Sequence, residues 1–373
     1  MEPGFEADWE VPFRFRDPGL ASRIIDSIKS LGVNARYMHV CGTHQDTLVK
    51  YGLEPLLKSV GIEVRAGPGC PICVTTGLEY EEAIALAEAG KTVAAFGDAA
   101  RAPGFNRSLL DARAGGCKVK IVYSIRDAVR LAEKESGEIV FMAVGFETTA
   151  PSTAATLTQS PPENFYVLSC HRVIPPAVKA LLDLGEIKLN GLIQPGHVST
   201  IIGLHPYREI SYRYGIPQVV AGFEPLDLLM AVYMLSRQMV DGRSEVENEY
   251  SRTVKPDGNI RARRLMEEVF EPCDLAWRGF PEIRGSGLKL KSKFEAHDAR
   301  AAFQDILEPV YEKFQGLGEP SGCRCGDVLR GVLDPRDCPL FGRRCNPKTP
   351  AGPCMVSIEG TCYIRYRYGE GQA

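Results

Sequence analysis

LASRIIDSIKSLGVNARYMHVCGTHQ, residues 20–45, carries the pattern that decides the fold. Leu20, Ile24, Ile25, Ile28 and Leu31 recur at helical spacing and form one apolar face. ARYMHVC (35–41) then reads as a short strand that runs straight into Cys-Gly-Thr-His. Going outward, HQDTLVKYGLEPLLKSVG and LEYEEAIALAEAG read as helical, while IEVRAG, KTVAAFG and CKVKIVYS read as strands, with RDAVRLAEKESG helical again. The alternation restarts with EIVFMAVG, NFYVLSC, PPAVKALLDLG, LNGLIQPG, VSTIIGLHPYREI and IPQVVAG. Apolar strands alternating with helices predict an α/β fold whose parallel sheets carry helices on both faces.

The ends of these strands are richer in chemistry than the strands themselves. They run into CGTH (41–44), GPGCPIC (67–73), FGD (96–98), GFETT (145–149), SCHR (169–172), QPGHVS (194–199) and GFEP (222–225). Ligands of open α/β sheets bind beyond the carboxyl ends of the strands. Gly-Phe-Glu recurs at 145–147 and 222–224, which hints at two similar sheets facing one another. The expected organisation is two α/β parallel-sheet domains, 19–123 and 124–232, separated by a cleft and a break near Ser124. Beyond about residue 233 the strand pattern is expected to stop, leaving a mainly helical and irregular third domain, 233–373, on which residues 1–18 pack.

The bulk properties narrow the function. With 373 residues the chain can hold two or three domains, and a net charge of -3 gives no reason to expect nucleic acid or an anionic membrane as partner. Nothing in the sequence has the length of a membrane span or the apolar core of a secretory leader, so a cytoplasmic protein is expected. In that compartment the 12 cysteines are metal ligands, catalytic thiols or small buried hydrophobes, not a disulfide framework. There is no glycine-rich phosphate loop.

Six cysteines fall between 323 and 362: C-x-C, twelve residues, Cys338, six residues, Cys345, eight residues, Cys354, seven residues, Cys362. Zinc sites favour close pairs in both halves, and here the single tight pair is C-x-C. Four thiolates from well-spaced loops suit a [4Fe-4S] cluster, and the two left over can carry electrons into a disulfide. Cys70 and Cys73 lie elsewhere, in the Gly/Pro turn RAGPGCPICVTT. That spacing fits half a zinc site, a redox dithiol or part of an iron–sulfur run; a solvent-accessible redox dithiol is the favoured reading. Cys41 ends a strand and opens a helix, whose N-terminus favours a thiolate, with His44 expected to add a hydrogen bond or positive charge. Cys117 and Cys273 read as structural, and Cys170 stays open. Glu147 and Glu224 are cleft acids or helix caps, and Asp98 with Arg101 is a candidate structural ion pair.

VCGTH, GPGCPICV, FGDAARAPG, VGFETTAP, QPGHVSTIIG, VAGFEPLD and CRCGDVLRG…CPLFGRRC…PAGPCMVSIEGTC together resemble the HypD family of hydrogenase maturation factors over essentially the whole chain. The resemblance implies two Rossmann-like domains, a third domain with a [4Fe-4S] cluster, and a role in building the Fe(CN)2(CO) unit of [NiFe] hydrogenases. It also implies a HypC-type chaperone and a HypE-type cyanide donor as partners, and iron held between a partner thiolate and Cys41. Cys41, Cys70 and Cys73 match the family's cleft thiols. A further likeness to ferredoxin:thioredoxin reductase implies Cys323, Cys338, Cys345 and Cys362 as cluster ligands and Cys325 with Cys354 as the adjacent dithiol. Thr43, His44, Thr148, Thr149, His197 and Ser199, together with backbone N–H groups, are the expected hydrogen-bond partners for cyanide. The chain departs from the family pattern at His39, where Glu is usual, and at Asp46, where His or Met is common. The expected function is a redox-active scaffold more than a turnover enzyme; the alternative is an Fe–S thiol–disulfide oxidoreductase acting on a protein disulfide.

Overall fold

The computed structural model describes residues 15–314, 316–317 and 322–369. In chain order the strands are β1 (Ala35–His39), β2 (Ile62–Ala66), β3 (Thr92–Ala95), β4 (Val119–Ile121), β5 (Ile139–Gly145), β6 (Phe165–His171), β7 (Gly191–Pro195), β8 (Gln218–Ala221), β9 (Val246–Asn248), β10 (Phe270–Ala276) and β11 (Glu282–Leu290). They form a five-stranded sheet of order β2-β1-β7-β8-β9, a four-stranded sheet of order β4-β3-β5-β6, and a β10-β11 pair. Every pairing in the two larger sheets is parallel. The alternation in the sequence is therefore met in kind: β5, β7 and β8 are buried along their whole length, as strands covered on both faces must be.

Three expectations need correction. The two sheets do not divide at Ser124, because β1 and β2 join β7, β8 and β9 while residues 92–171 build the other sheet. Local periodicity reports what an element is and not which strand it pairs with, and a parallel crossover needs a dozen or more residues, which leaves room for a long excursion between partners. The strands do not stop at 233 either: β9 completes the first sheet, and β10 and β11 make an antiparallel hairpin on the flank of β6. Finally, VSTIIGLHPYREI is two helices, Gly196–Ile202 and His205–Tyr214, broken where Gly203 adopts φ 73°. Of the segment expected to pack on the third domain, residues 1–14 lie outside the described residues. Phe15 and Arg16 meet the helix Pro225–Val240 and its cap, Leu226 N donating to Phe15 O and Arg16 pairing with Glu224, and Phe15 also lies under the Arg252 guanidinium of the expected third domain, 4.3 Å from its ring centroid.

Both sheets have the same winding, with chain order 2-1-3-4-5 in the first and 2-1-3-4 in the second, so each reverses direction once. In the first sheet the reversal lies between β1 and β7, and in the second between β3 and β5. The crevice outside such a switch point is where α/β sheets bind ligands. One crevice is thus bounded by the loops after β1 and β7, carrying Cys41 and His197, and the other by the loops after β3 and β5, carrying Asp98 and Glu147.

The C-terminal part straddles both sheets. Its last helix, Thr361–Tyr368, packs on the helix Gly42–Lys50, and the helix Gln304–Phe314 packs on Gly77–Glu88 beside the second sheet. Buried ion pairs weld the second contact. Arg172, at the end of β6, is fully buried and donates to both oxygens of Glu79 and to Ala276 O of β10. Arg300 makes a forked pair with Glu82, which also accepts from Tyr311. These arrangements are worth little net against apolar replacements, yet half of one cannot be removed cheaply, since the orphaned charge stays buried. Glu79→Ala is expected to cost about 3–5 kcal/mol in urea unfolding, and Glu79→Leu combined with Arg172→Met to recover most of that loss.

Candidate functional site

Cys41 occupies the N-cap of the helix Gly42–Lys50 in extended conformation, at the carboxyl end of β1. Two glycines force chain against chain around it. A Cβ on Gly69 would collide with the Cys41 backbone, and a Cβ on Gly42 would collide with Glu359. Gly42 N donates to Gly69 O at 3.1 Å, so the Cys70/Cys73 turn is stitched to the cap. From the other side Thr43 Oγ1 donates to Glu359 Oε1 at 3.4 Å. Glu359 was not singled out from the sequence, although it sits inside the quoted SIEGTC stretch. Its signal is the Gly-Thr-Cys that follows, which brings the last helix onto the Cys41 helix.

The thiol is not a ready thiolate. Burial pushes the Cys41 pKa up to about 12, and the Glu359 carboxylate adds to the rise; the N–H groups of His44 and Thr43 at the helix start oppose it without overcoming it. His44 contributes through its backbone alone. Its buried imidazole donates to Gly222 O at 2.9 Å, pins the loop after β8, and is held neutral by burial, its pKa lowered to about 3. The expected positive charge beside Cys41 is therefore absent. His39 is also buried and neutral, its pKa lowered to about 4, with Nε2 against Gln45 Oε1 at 2.8 Å. Gln45 in turn donates to Glu54, the partner of Arg365 on the last helix. Asp46 is half-buried on the Cys41 helix.

His197 is exposed and stacks on Phe223 with ring centroids 3.8 Å apart, and Phe223 also packs against His44. Ser199 is buried and satisfied, donating to Pro195 O at 2.8 Å and lying 3.2 Å from the Tyr207 hydroxyl. Thr148 is exposed and Thr149 half-buried, where β5 opens into the helix Ala150–Leu157. Thr43, Thr148, Thr149 and His197 thus present surface at the strand ends, whereas His44 and Ser199 are committed to internal partners.

Cys70 and Cys73 form a disulfide across the turn Pro71–Val74, with Cα atoms 5.2 Å apart. At 3% and 1% exposure they are not the accessible pair the Gly/Pro turn suggested. The turn Pro353–Met355, which carries Cys354, and the helix Cys325–Leu329 both pack on the Pro71–Val74 turn. The elements that carry these four cysteines therefore pack together where the C-terminal part meets the loop after β2.

The six C-terminal cysteines converge. Cys323, Cys325, Cys338, Cys345 and Cys362 line one small cavity with Arg324, Val328, Leu340, Phe341 and Met355. Cys323 Sγ is 3.1 Å from Cys325 Sγ, while Cys354, fully buried, sits behind the cavity in contact with Cys325 and Cys362. Contacts with neighbouring thiols, chiefly Cys323, push Cys325 well above its ordinary pKa. Among the described residues no three His, Cys, Asp or Glu side chains are spread into a ready metal-binding arrangement; the sulfurs lie against one another instead. The donor set nonetheless fits a soft iron–sulfur centre: five sulfurs face one space whose remaining lining is largely apolar.

The remaining acids and cysteines resolve individually. Glu224 caps the helix Pro225–Val240 and pairs with Arg16. Asp98 and Arg101 do not pair with each other: Asp98 accepts from Ile358 N, and Arg101 donates to Pro347 O. Cys170 is buried near Glu79, Cys273 lies in the β10-β11 hairpin, and Cys117 is half-buried. Glu147 is buried, its Oε1 capping Ile174 N at 2.9 Å and its Oε2 without a partner.

The family model described as HypD, hydrogenase formation hypA family, matches residues 19–369. The chain belongs to the HypD family. Among the similar curated proteins, one of Methanocaldococcus jannaschii named for hydrogenase expression/formation is 46% identical over 359 residues, covering 94% of this chain and 98% of that protein. The hydrogenase maturation factor HypD of Rhodobacter capsulatus is 41% identical over 373 residues, with 96% and 98% covered. That of Cupriavidus necator is 40% identical over 371 residues, with 95% and 96% covered. No helix among the described residues is long and apolar enough to cross a membrane.

Glu147 gives the site a pH signature. Burial raises its pKa from 4.5 to about 7, so between those values the native state holds a proton that the unfolded chain has released. Stability therefore falls as pH rises through that window, and the full loss is present above about pH 7. Glu147→Gln retains an oxygen for Ile174 N and cannot ionise. It is expected to flatten this slope and to stabilise the protein by roughly 3 kcal/mol above pH 7, read from denaturant midpoints across pH.

Proposed function

We propose that this HypD-family protein is a redox scaffold on which the Fe(CN)2(CO) unit of a [NiFe] hydrogenase is assembled, held by Cys41 and served by thiols behind it. One observation carries the reading: three thiol stations lie in unbroken succession. The six-cysteine centre meets the Cys70–Cys73 turn through the elements bearing Cys325 and Cys354, and that turn is hydrogen-bonded through Gly69 to the cap at Cys41.

Cys323, Cys338, Cys345 and Cys362 would hold a [4Fe-4S] cluster, which would supply electrons one at a time, with Cys325 and Cys354 as the adjoining dithiol. Two electrons and two protons open the Cys70–Cys73 bond to a pair of thiols directly behind Cys41. Cys41 loses its proton when it takes the iron precursor, because a soft iron carrying cyanide and carbon monoxide favours thiolate and its charge replaces the proton in the buried site. A HypC-type chaperone brings the opposing thiolate, and a HypE-type donor supplies the cyanide. Thr43, Thr148, Thr149 and His197 offer donors to cyanide nitrogens from the surfaces of the two strand-end crevices. Burial of both sulfurs of the disulfide favours an internal relay over turnover of an external protein disulfide.

Infrared spectra of the protein co-purified anaerobically with its chaperone should show CN and CO stretches. Cys41→Ser is expected to lose those bands and keep the brown iron–sulfur absorbance, whereas Cys338→Ala is expected to lose the absorbance. Bands that survive in Cys41→Ser place the iron elsewhere, and zinc without iron or sulfide in the isolated protein overturns the relay.

A further inference from the structure

The cysteine-lined cavity reaches the surface on a distinctly basic face. Cys323 and Cys338 are half-buried on it, and Arg324, exposed, is part of the lining. Residues 323–348 hold six Arg or Lys (324, 330, 336, 343, 344, 348) against three Asp (327, 334, 337), an excess of three positive charges in a chain whose net charge is -3. Pairing removes part of this: Arg324 and Arg330 share Asp327, Arg330 also meets Glu186, and Arg336 meets Asp334. Arg343, Arg344 and Lys348 are exposed and have no ion pair among the described residues. Arg343 and Arg344 lie in the tight turn in which Cys345 N donates to Leu340 O and Gly342 N to Cys345 O, the turn that supplies Leu340, Phe341 and Cys345 to the cavity, and Lys348 lies in the next turn, closed by Thr349 N donating to Asn346 O. Exposed Arg101 adds a further cation by donating to Pro347 O. Asp337, beside Cys338, is the one exposed acid of the segment without an ion pair.

We infer that this face, centred on Arg343, Arg344 and Lys348, is the docking surface for a small acidic one-electron carrier protein of the ferredoxin or flavodoxin class. The inference rests on the redox reading above, which leaves the source of electrons unassigned. Opening one Cys70–Cys73 bond consumes two electrons and two protons, so a one-electron donor must dock, be oxidised and leave twice, the protons coming from solvent. Such transient electron-transfer encounters use small interfaces and draw their rate from complementary charge. A basic rim around half-buried sulfurs, on a protein that is acidic overall, meets both requirements.

The test uses the full chain, purified anaerobically, with an acidic ferredoxin as probe. Binding is followed by calorimetry at low and at 0.3 M salt, and reduction by stopped-flow absorbance. Arg343→Glu with Arg344→Glu is expected to weaken ferredoxin binding at low salt at least tenfold and to slow reduction by ferredoxin in step, while reduction by dithionite and the circular dichroism spectrum stay unchanged. Arg126→Glu with Lys134→Glu makes the same charge change on the exposed side of the helix Ile125–Lys134 and is expected to have little effect. Absence of ferredoxin binding to the wild-type chain, or equal weakening by both double variants, overturns the docking surface. A preparation without iron overturns the cluster reading instead, and the binding comparison still decides the surface.

Discussion

Main chain presses on main chain around Cys41, and everything that makes the site depends on that approach. Gly69 and Gly42 are the residues that permit it, since a single methyl group at either would strike backbone and not a side chain that could yield. With them in place, the loop after β2, the cap of the Cys41 helix and the segment before the last helix meet at one point. The disulfide turn, the thiol and the Glu359 carboxyl then become neighbours despite lying far apart in the chain. Backbone hydrogen bonds and tight packing fix such a junction far more stiffly than contacts between long side chains could.

The tight fit also sets the electrostatics. Burial that excludes water from Cys41, His39 and His44 disfavours charge on each of them, so the resting site is a neutral one. A helix N-terminus offers the sulfur only partial positive charge and is outweighed.

The elements were largely legible in the sequence, because helical spacing in residues 20–31 and continuous apolar runs such as IVFMAVG are strong local signals. The density of ligand-type residues in CGTH, GPGCPIC and the C-terminal cysteine run was visible there as well. What was not legible is relational. Nothing in ARYMH says that its neighbour across the sheet is GLIQP, more than 150 residues away. The Gly/Pro turn promised exposure to Cys70 and Cys73, but the segment that covers them comes from 325–329 and 353–355. Thiolate character at Cys41 was misjudged for the same reason: the helix end is written locally, whereas Glu359 and the depth of burial are supplied from the far end of the chain.

The interleaving of the two sheets bears on how the polypeptide acquires its form. Residues 92–171 hold all four strands of the β4-β3-β5-β6 sheet and can pair as soon as they have left the ribosome. β1 and β2 are made earlier, yet β1 has only β2 beside it until β7 is synthesised, and parallel pairing over so long a separation is slow. The first sheet therefore closes around a partly finished chain, and the cysteine-bearing tail arrives last, clamping the Cys41 helix from outside. During that interval Cys41, Cys70 and Cys73 lack the segments that cover them, so the nascent protein is at its most vulnerable to oxidants and stray metal before residues 325–368 have emerged.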